Sequence, residues 1–378
     1  MGLIAGVLKE TLPGERRVAV TPNVISVLAK AEVEVLIERD AGLEPGFLDA
    51  DYAAKGASTG LTADEVRSCA QILLGVRVPE QPDGLKPGTI LIGFCDPLSD
   101  PELVARYAKA DVALFSMEFI PRTTRAQSMD ALSSMASIAG YKAVLLAANT
   151  LPRLFPMMTT AAGTAPPARV LVMGAGVAGL QAIATARRLG AVVSGYDVRA
   201  AVKEQIESLG AKFVNIELGV RGEGEGGYAR ALDEDAIKRQ REQMAIVLKD
   251  QDVVITTAAV PGKKAPLLVT REMVHAMAPG SVIVDLAAER GGNCELTKAG
   301  ETVIERGVSI LGPMNLPASV PHYASLMYAR NIVTFLKNMV KAGQLNIDLN
   351  DDIVRETLLS RDGEVVHPRV QALLGVSA

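Results

Sequence analysis

The sequence predicts an α/β protein of two Rossmann-like domains with largely parallel sheets, the first domain discontinuous along the chain. Short β-branched and aliphatic runs alternate with helix-length segments from end to end. These runs fall into two series separated by a long alanine-rich stretch, and 378 residues at 49% hydrophobic composition can bury more than one core. In the first series Leu3–Val7, Glu34–Ile37, Ala70–Leu74, Gly88–Ile92 and Val112–Ser116 read as strands bounded by Gly, Pro or Asp, with no phosphate-binding loop among them. Asp130–Thr150 reads as a helix long enough to bridge two domains. The second series runs Ala168–Met173, Ala191–Tyr196, Ala211–Asn215, Asp252–Thr256, Ser281–Leu286 and Val308–Leu311. A further helix is expected over Leu326–Leu345, and the tail is too short for a domain, so it should return to complete the first. The expected boundaries are 1–128 plus 320–378 for the first domain and 129–319 for the second.

Within the second domain, Leu218–Tyr228 holds five glycines without a periodic apolar face. It predicts a mobile loop near 217–230, either a plain insertion or a flap closing over a ligand, with Tyr228 at its useful end.

Net charge is −4, from 39 Lys and Arg against 43 Asp and Glu, and no basic run or stripe interrupts the chain. A sequence-independent grip on nucleic-acid phosphates is therefore not expected. The three cysteines, Cys69, Cys95 and Cys294, are far apart and outside CxxC spacing, against a disulfide framework or a zinc site, so no metal is expected. The stretch Met1–Leu8 lacks a cationic region before its apolar run, and Gly6 stands where myristoylation needs Ser or Thr. The charge-free stretch between Arg169 and Arg187 carries three close glycines and reads as strand, loop and helix. Any association with a membrane is thus expected through a partner, from the cytoplasm, without direct insertion.

Gly174-Ala175-Gly176-Val177-Ala178-Gly179 fits GxGxxG, and its context is what gives the match weight. A strand precedes it, an amphipathic helix follows over Leu180–Leu189, a second strand comes next, and Asp197 lies eighteen residues after Gly179. Gly174 suits the tight turn, Gly176 the close approach of pyrophosphate, and Gly179 the packing of the helix whose amino terminus attracts an anion. Asp197 as acceptor of ribose hydroxyls favours NAD(H); Arg199 nearby runs the other way. The chain's three histidines are His275, His322 and His367, all in its last third. Only His322, after Asn315-Leu316-Pro317, falls near an expected cofactor edge, where it is either structural or an acid/base, and Glu289 is a carboxylate alternative. The polar loop Pro121–Asp130 precedes an apolar helix. Asp130 there either caps the helix or joins the loop's amide, guanidinium and hydroxyl groups in fixing a nicotinamide.

Several runs closely resemble proton-translocating nicotinamide nucleotide transhydrogenase, in its peripheral NAD(H)-binding component. They are Arg122–Asp130 with Ala131-Leu132-Ser133-Ser134, Ala161-Ala162-Gly163-Thr164, Val177–Ala186 and Gly291-Gly292-Asn293-Cys294. The resemblance covers essentially the whole chain, and the RxxxxQSMD loop followed by Ser is its most specific motif. It implies that Arg122, Gln127, Asp130 and Ser133, with Ser128 and Met129 in the same loop, meet the nicotinamide end of NAD(H), Gln127 also lying where the second nucleotide arrives. It implies that Val177, Val198, Ala258 and Ala259 line the adenosine and ribose sites, beside the expected cofactor contacts at Gly174, Ala175, Gly176, Gly179, Asp197 and Arg199 around the glycine motif, and it implies closure of a loop ending in Gly226-Gly227-Tyr228. It further implies a homodimer, with NADP(H) held by a partner component and the membrane-spanning subunits on other chains, so that this one is attached peripherally at the inner face of the cell membrane. Hydride would then pass directly from NADH to NADP⁺, coupled to proton translocation elsewhere.

Alanine dehydrogenase is a related family, similar at Lys9-Glu10, Arg16–Pro22 and Asn315-Leu316-Pro317. Where it has catalytic lysine, histidine and aspartate, this sequence has Arg77, Phe94 and Glu289, and Phe94 cannot exchange a proton. An alanine dehydrogenase-like oxidoreductase and a non-catalytic NAD(H)-sensing module remain the alternatives.

Overall fold

In the computed structural model, which describes residues 2–216, 234–260 and 262–375, the chain forms two compact units, Met1–Met135 with Pro317–Ala378, and Ala136–Leu316. Each is a doubly wound α/β unit, so the first is discontinuous in sequence.

The first unit is built on β1 (Leu3–Val7), β2 (Val33–Glu38), β3 (Ser58–Leu61), β4 (Ile72–Arg77), β5 (Ile90–Phe94) and β6 (Ala113–Ser116). These strands are parallel, in the order β3-β2-β1-β4-β5-β6. The order reverses between β1 and β4, the place where such sheets usually open a crevice for a ligand. Leu73, Leu91 and Leu114 pack beneath Val66, Val104 and Tyr107 in its core.

The second unit opens with an exposed hairpin, β7 (Met158–Thr160) and β8 (Gly163–Ala165). Its main sheet contains β9 (Arg169–Met173), β10 (Val192–Tyr196), β11 (Lys212–Phe213), β12 (Val253–Thr256), β13 (Val282–Asp285), β14 (Thr302–Glu305) and β15 (Val308–Leu311). The order is β11-β10-β9-β12-β13-β15-β14, parallel except for β14 against β15, and it reverses between β9 and β12. Val170, Val172, Val253 and Ile255 face one apolar layer while Leu171, Met173 and Val254 face the other. Burial on both faces explains why these strands read as continuous apolar runs rather than alternating ones.

The helix Ala131–Thr150 is long and apolar enough to cross a membrane by length and composition. Its Ala143, Val144 and Ala147 are fully buried with Val170, Ile183 and Ala186, the packing of a core helix.

After the second unit, the helix Pro321–Met339 begins and ends earlier than the Leu326–Leu345 expected from the sequence. Pro321 suits the first helical turn, and Ala342 and Gly343, with φ of +46° and +66°, turn the chain into the two-stranded ribbon β16 (Val340–Lys341) and β17 (Gln344–Leu345). The tail then supplies β18 (Leu358–Arg361), antiparallel to β6, and β19 (Glu364–Val365) beyond it, completing the first unit's sheet.

Candidate functional site

In the second unit β9 ends at Met173 and the chain turns through Gly174-Ala175-Gly176 into the helix Val177–Arg188. Gly174 has a φ of +102°, and a Cβ on it would lie 2.5 Å from Thr257 Oγ1. A Cβ on Gly179 would stand 1.8 Å from the Gly174 carbonyl oxygen, and one on Gly140 would stand 2.1 Å from the Ala178 oxygen. Two glycines therefore clamp the helix's first turn from different sides. Gly176 is another case: it is exposed, and a Cβ there would meet nothing within 4 Å. Nothing in the chain itself demands glycine at that position. The open space adjoins the amino-terminal N–H groups of a twelve-residue helix, where a phosphate is favoured. This fits a dinucleotide.

Asp197 closes β10 and is nearly buried. Its Oδ2 accepts the Ala175 N–H at 2.7 Å and Arg199 Nη2 at 2.8 Å. Its Oδ1 accepts the Arg199 N–H at 2.9 Å and Nε at 2.8 Å. Burial works against the charge, but the guanidinium and the two backbone N–H groups outweigh it and hold the carboxyl below its usual range.

Asp285 at the end of β13 is fully buried and accepts from Thr256 Oγ1, the N–H groups of Ala287, Asn293 and Cys294, and Thr297 Oγ1, at 2.7–3.0 Å. Asn293, so fixed, accepts the Ala258 N–H at 3.0 Å and donates to the Ala258 and Pro266 carbonyls, each at 2.8 Å. The side chain thus splints the backbone at Ala258, next to the exposed Ala259. By sequence alone Asp285–Gly292 reads as an ordinary strand end; a carboxylate ending a buried strand before Gly-Gly-Asn is the signal that could have found it. Val177 is exposed and Val198 half-buried. Gly227 and Tyr228, with the glycine-rich segment, lie outside the described residues.

In the first unit the loop before the long helix is anchored at alternate points. Ala126 and Met129 are buried, and Asn331 Nδ2 donates to the Ser128 carbonyl at 2.9 Å. Arg125 forks onto Asp351, with its Nη1 at 2.9 Å, and also bonds Asp352. Asp130 accepts the Ser133 N–H at 2.9 Å and the Ser133 hydroxyl at 2.6 Å, so it does cap the helix. Arg122, Gln127 and Ser128 are exposed. The anchors hold the loop so that a guanidinium and an amide are presented to solvent. Met129 is buried as a whole, and its N–H donates to the Ala126 carbonyl at 2.8 Å. Arg125 and Asn331 were not legible as loop anchors, because their partners lie 226 and 203 residues away.

The histidines are engaged elsewhere. His322 stacks on Phe47 with centroids 4.7 Å apart and bonds the Pro45 carbonyl through Nδ1 at 2.8 Å. His275 pairs with Glu305, and His367 accepts the Arg369 N–H. Glu289 accepts the Asn315 N–H at 2.6 Å. Phe94 is buried against Tyr328, their centroids 5.2 Å apart, and Arg17 is buried in a 2.6 Å ion pair with Glu15.

At the first unit's strand-order reversal, the Glu10 carboxylate accepts the Val76 N–H at 2.6 Å and the Arg77 N–H at 3.2 Å. Burial of that carboxylate pushes its pKa up to about 7 against the pull of those two bonds. The unfolded chain ionises near 4.5, so between there and pH 7 the native state binds the extra proton, and this group's contribution to stability falls as pH rises. Glu10→Gln is expected to flatten that slope and to raise stability at pH 8 by on the order of 2 kcal/mol. Urea midpoints at pH 5 and pH 8 measure it; parallel pH dependences in the two proteins would exclude the effect.

A doubly wound unit with this glycine turn, an open Gly176 and a carboxylate closing the next strand defines a Rossmann-type nucleotide-binding protein of the oxidoreductase kind. Family models for the alanine dehydrogenase/PNT N-terminal and C-terminal domains match residues 6–139 and 143–368. The chain belongs to that family. It is 45% identical to the Rhodospirillum rubrum protein named as the first portion of NAD(P) transhydrogenase subunit alpha, over 98% of both chains. With the protein of that name from Rickettsia prowazekii it shares 44% identity over 95% of both. A crystal structure of transhydrogenase from Sinorhizobium meliloti superposes with a TM-score of 0.88 at 45% identity, covering 96% of this chain and 100% of that one.

Proposed function

We propose that this chain is the NAD(H)-binding component of a proton-translocating transhydrogenase, passing hydride directly between its own nucleotide and NADP(H) on a partner. The observation that carries the reading is Gly176, a glycine with open space before a helix amino terminus, in a chain of the transhydrogenase family. Gly174, Ala175, Gly176, Val177 and Gly179 form the pyrophosphate turn, Asp197, Val198 and Arg199 the adenosine end, and Ala258 and Ala259 the wall splinted by Asn293. Arg122, Gln127, Asp130 and Ser133 take the nicotinamide end, with Ser128 and Met129 shaping the loop. Domains at 1–128 plus 320–378 and at 129–319 would divide these roles.

The nicotinamide supplies the hydride chemistry; the chain supplies position and exclusion of water. No acid or base is needed for transfer from one ring carbon to another, in keeping with histidines bonded elsewhere. The first unit's reversal point holds the Glu10 carboxylate, which supports one nucleotide per chain and a partner for NADP(H). Relatives named as parts of a transhydrogenase subunit support the presence of partner subunits, to which the proposal gives the membrane-spanning role, with this chain held peripherally at the cytoplasmic face. Exposed Leu154, Met157 and Met158 before and within the hairpin β7–β8 support a homodimer.

The test mixes the purified chain with a soluble NADP(H)-binding component, NADPH and an acetylpyridine analogue of NAD⁺, beside an assay with alanine. Analogue reduction only when both proteins are present is the expected result. Alanine-dependent NAD⁺ reduction by this chain alone would overturn the reading. Gly176→Ala is expected to shift the melting temperature by no more than about 2 °C while weakening NADH at least ~10-fold, since a methyl group would fill the phosphate's place. Fluorescence titration with NADH reads this, and an unchanged affinity contradicts the role given to Gly176.

A further inference from the structure

We propose that Arg199 is a specificity residue, held by Asp197 so that the adenosine end admits a ribose hydroxyl and refuses a 2′-phosphate. The proposal rests on the reading of this unit as the NAD(H) site, and it turns Arg199 from a contact at the adenosine end into the residue that a ribose hydroxyl displaces.

A carboxylate has about four lone-pair positions. Asp197 uses them on the Ala175 N–H, the Arg199 N–H, and Arg199 Nε and Nη2, all at 2.7–2.9 Å. A ribose hydroxyl can bond Asp197 only by replacing one of these donors. The two backbone donors are fixed, one in the glycine turn and one at the strand end. The guanidinium is on a rotatable side chain that is 19% exposed, against 6% for the carboxylate, and is the donor able to leave. A hydroxyl brings its own proton and substitutes for the guanidinium directly.

A 2′-phosphate brings no proton at neutral pH and cannot replace a donor. To meet it, Arg199 would have to abandon Asp197, leaving a nearly buried carboxylate beside a dianion, which is strongly unfavourable in a poorly solvated site. The carboxylate therefore refuses the phosphate twice, by its own charge and by keeping the neighbouring cation occupied. A protein that must keep two nicotinamide nucleotides at separate sites has use for such a device, since NADP(H) at both would yield no net exchange.

Titrations of the full chain with NADH and with NADPH, followed by nicotinamide fluorescence, test this in four proteins: wild type, Asp197→Asn, Arg199→Leu and the double variant. Asp197→Asn is expected to bind NADPH at least ~10-fold more tightly than wild type, because the amide releases the guanidinium. Adding Arg199→Leu should remove that gain while leaving NADH affinity within about threefold of the Asp197→Asn protein. Arg199→Leu alone should bind NADH several-fold more tightly, because the hydroxyl no longer has to displace a guanidinium, with NADPH still refused.

No gain for NADPH in a folded Asp197→Asn protein overturns the proposal, as does a gain that survives in the double variant. Should Asp197→Asn fail to fold, Arg199→Leu decides: weaker NADH binding overturns the displacement step. Wild-type protein that binds NADPH as tightly as NADH, or binds neither, would instead sink the underlying assignment of the NAD(H) site.

Discussion

Gly179→Ala is expected to lower the melting temperature of the nucleotide-binding unit by roughly 10 °C and to abolish NADH binding. The added methyl would lie 1.8 Å from the Gly174 carbonyl oxygen, a backbone atom that cannot rotate away. Relief needs the helix Val177–Arg188 to move off the sheet, but a Cβ on Gly140 would stand only 2.1 Å from the Ala178 oxygen of the same turn. The turn has no room on that side without separating it from the long helix that buries Val144 and Ala147. Overpacking of this kind costs about 3 kcal/mol. Moving the turn also carries the helix's first N–H groups away from Gly176, so binding is lost together with stability. The contrast with Gly176→Ala is the point of the measurement. On the proposed reading, two glycines three residues apart are required for different reasons, one by the protein and one by its ligand. A Gly179→Ala protein with wild-type melting and wild-type NADH affinity would remove the clamp from the account.

What the sequence made legible follows the range of the forces involved. The strand, glycine turn and helix around Gly174–Gly179 are local, and the turn could be read from its neighbours. Both series of strands were visible because a strand buried on both faces is a continuous apolar run, as at Val170–Met173. Among the strands that escaped this pattern, the edge strands Ser58–Leu61 and Thr302–Glu305 carry too few buried residues to stand out. The helix Pro321–Met339 was misjudged at its ends because Leu345 continues the apolar spacing after Ala342-Gly343 has already turned the chain. At the site, Asp197 was legible as a strand-end carboxylate, whereas its grip on Arg199 was not, since nothing in the spacing tells whether a neighbouring cation faces the carboxylate or water. Gly140, Asn293 and Arg125 act across 38, 35 and 226 residues, on Ala178, Ala258 and Asp351 respectively. Only the folded chain brings them to the loops they hold.

Gln127→Asn is expected to slow hydride transfer about 100-fold in a reconstituted complex while leaving NADH affinity within about threefold. The proposed role of Gln127 is to set the separation of two rings, and transfer requires near-attack contact at ~3–3.5 Å, where an error of about 1 Å costs that much. Asparagine keeps the amide but withdraws it by one methylene. The loop cannot make up the difference, for it is fixed on both sides of Gln127: by buried Ala126 and the Arg125 fork to Asp351, and by buried Met129 and the Asn331 bond to the Ser128 carbonyl. Because Ala126 and Met129 are core residues and Gln127 is exposed, the substitution removes reach without disturbing packing, and melting should be unchanged within about 2 °C. Most of the affinity for NADH would come from the pyrophosphate turn and the adenosine end, so binding should barely respond. A loss of transfer in step with a loss of affinity would make Gln127 an ordinary binding residue, and equal transfer rates in the two proteins would take it out of the reaction altogether.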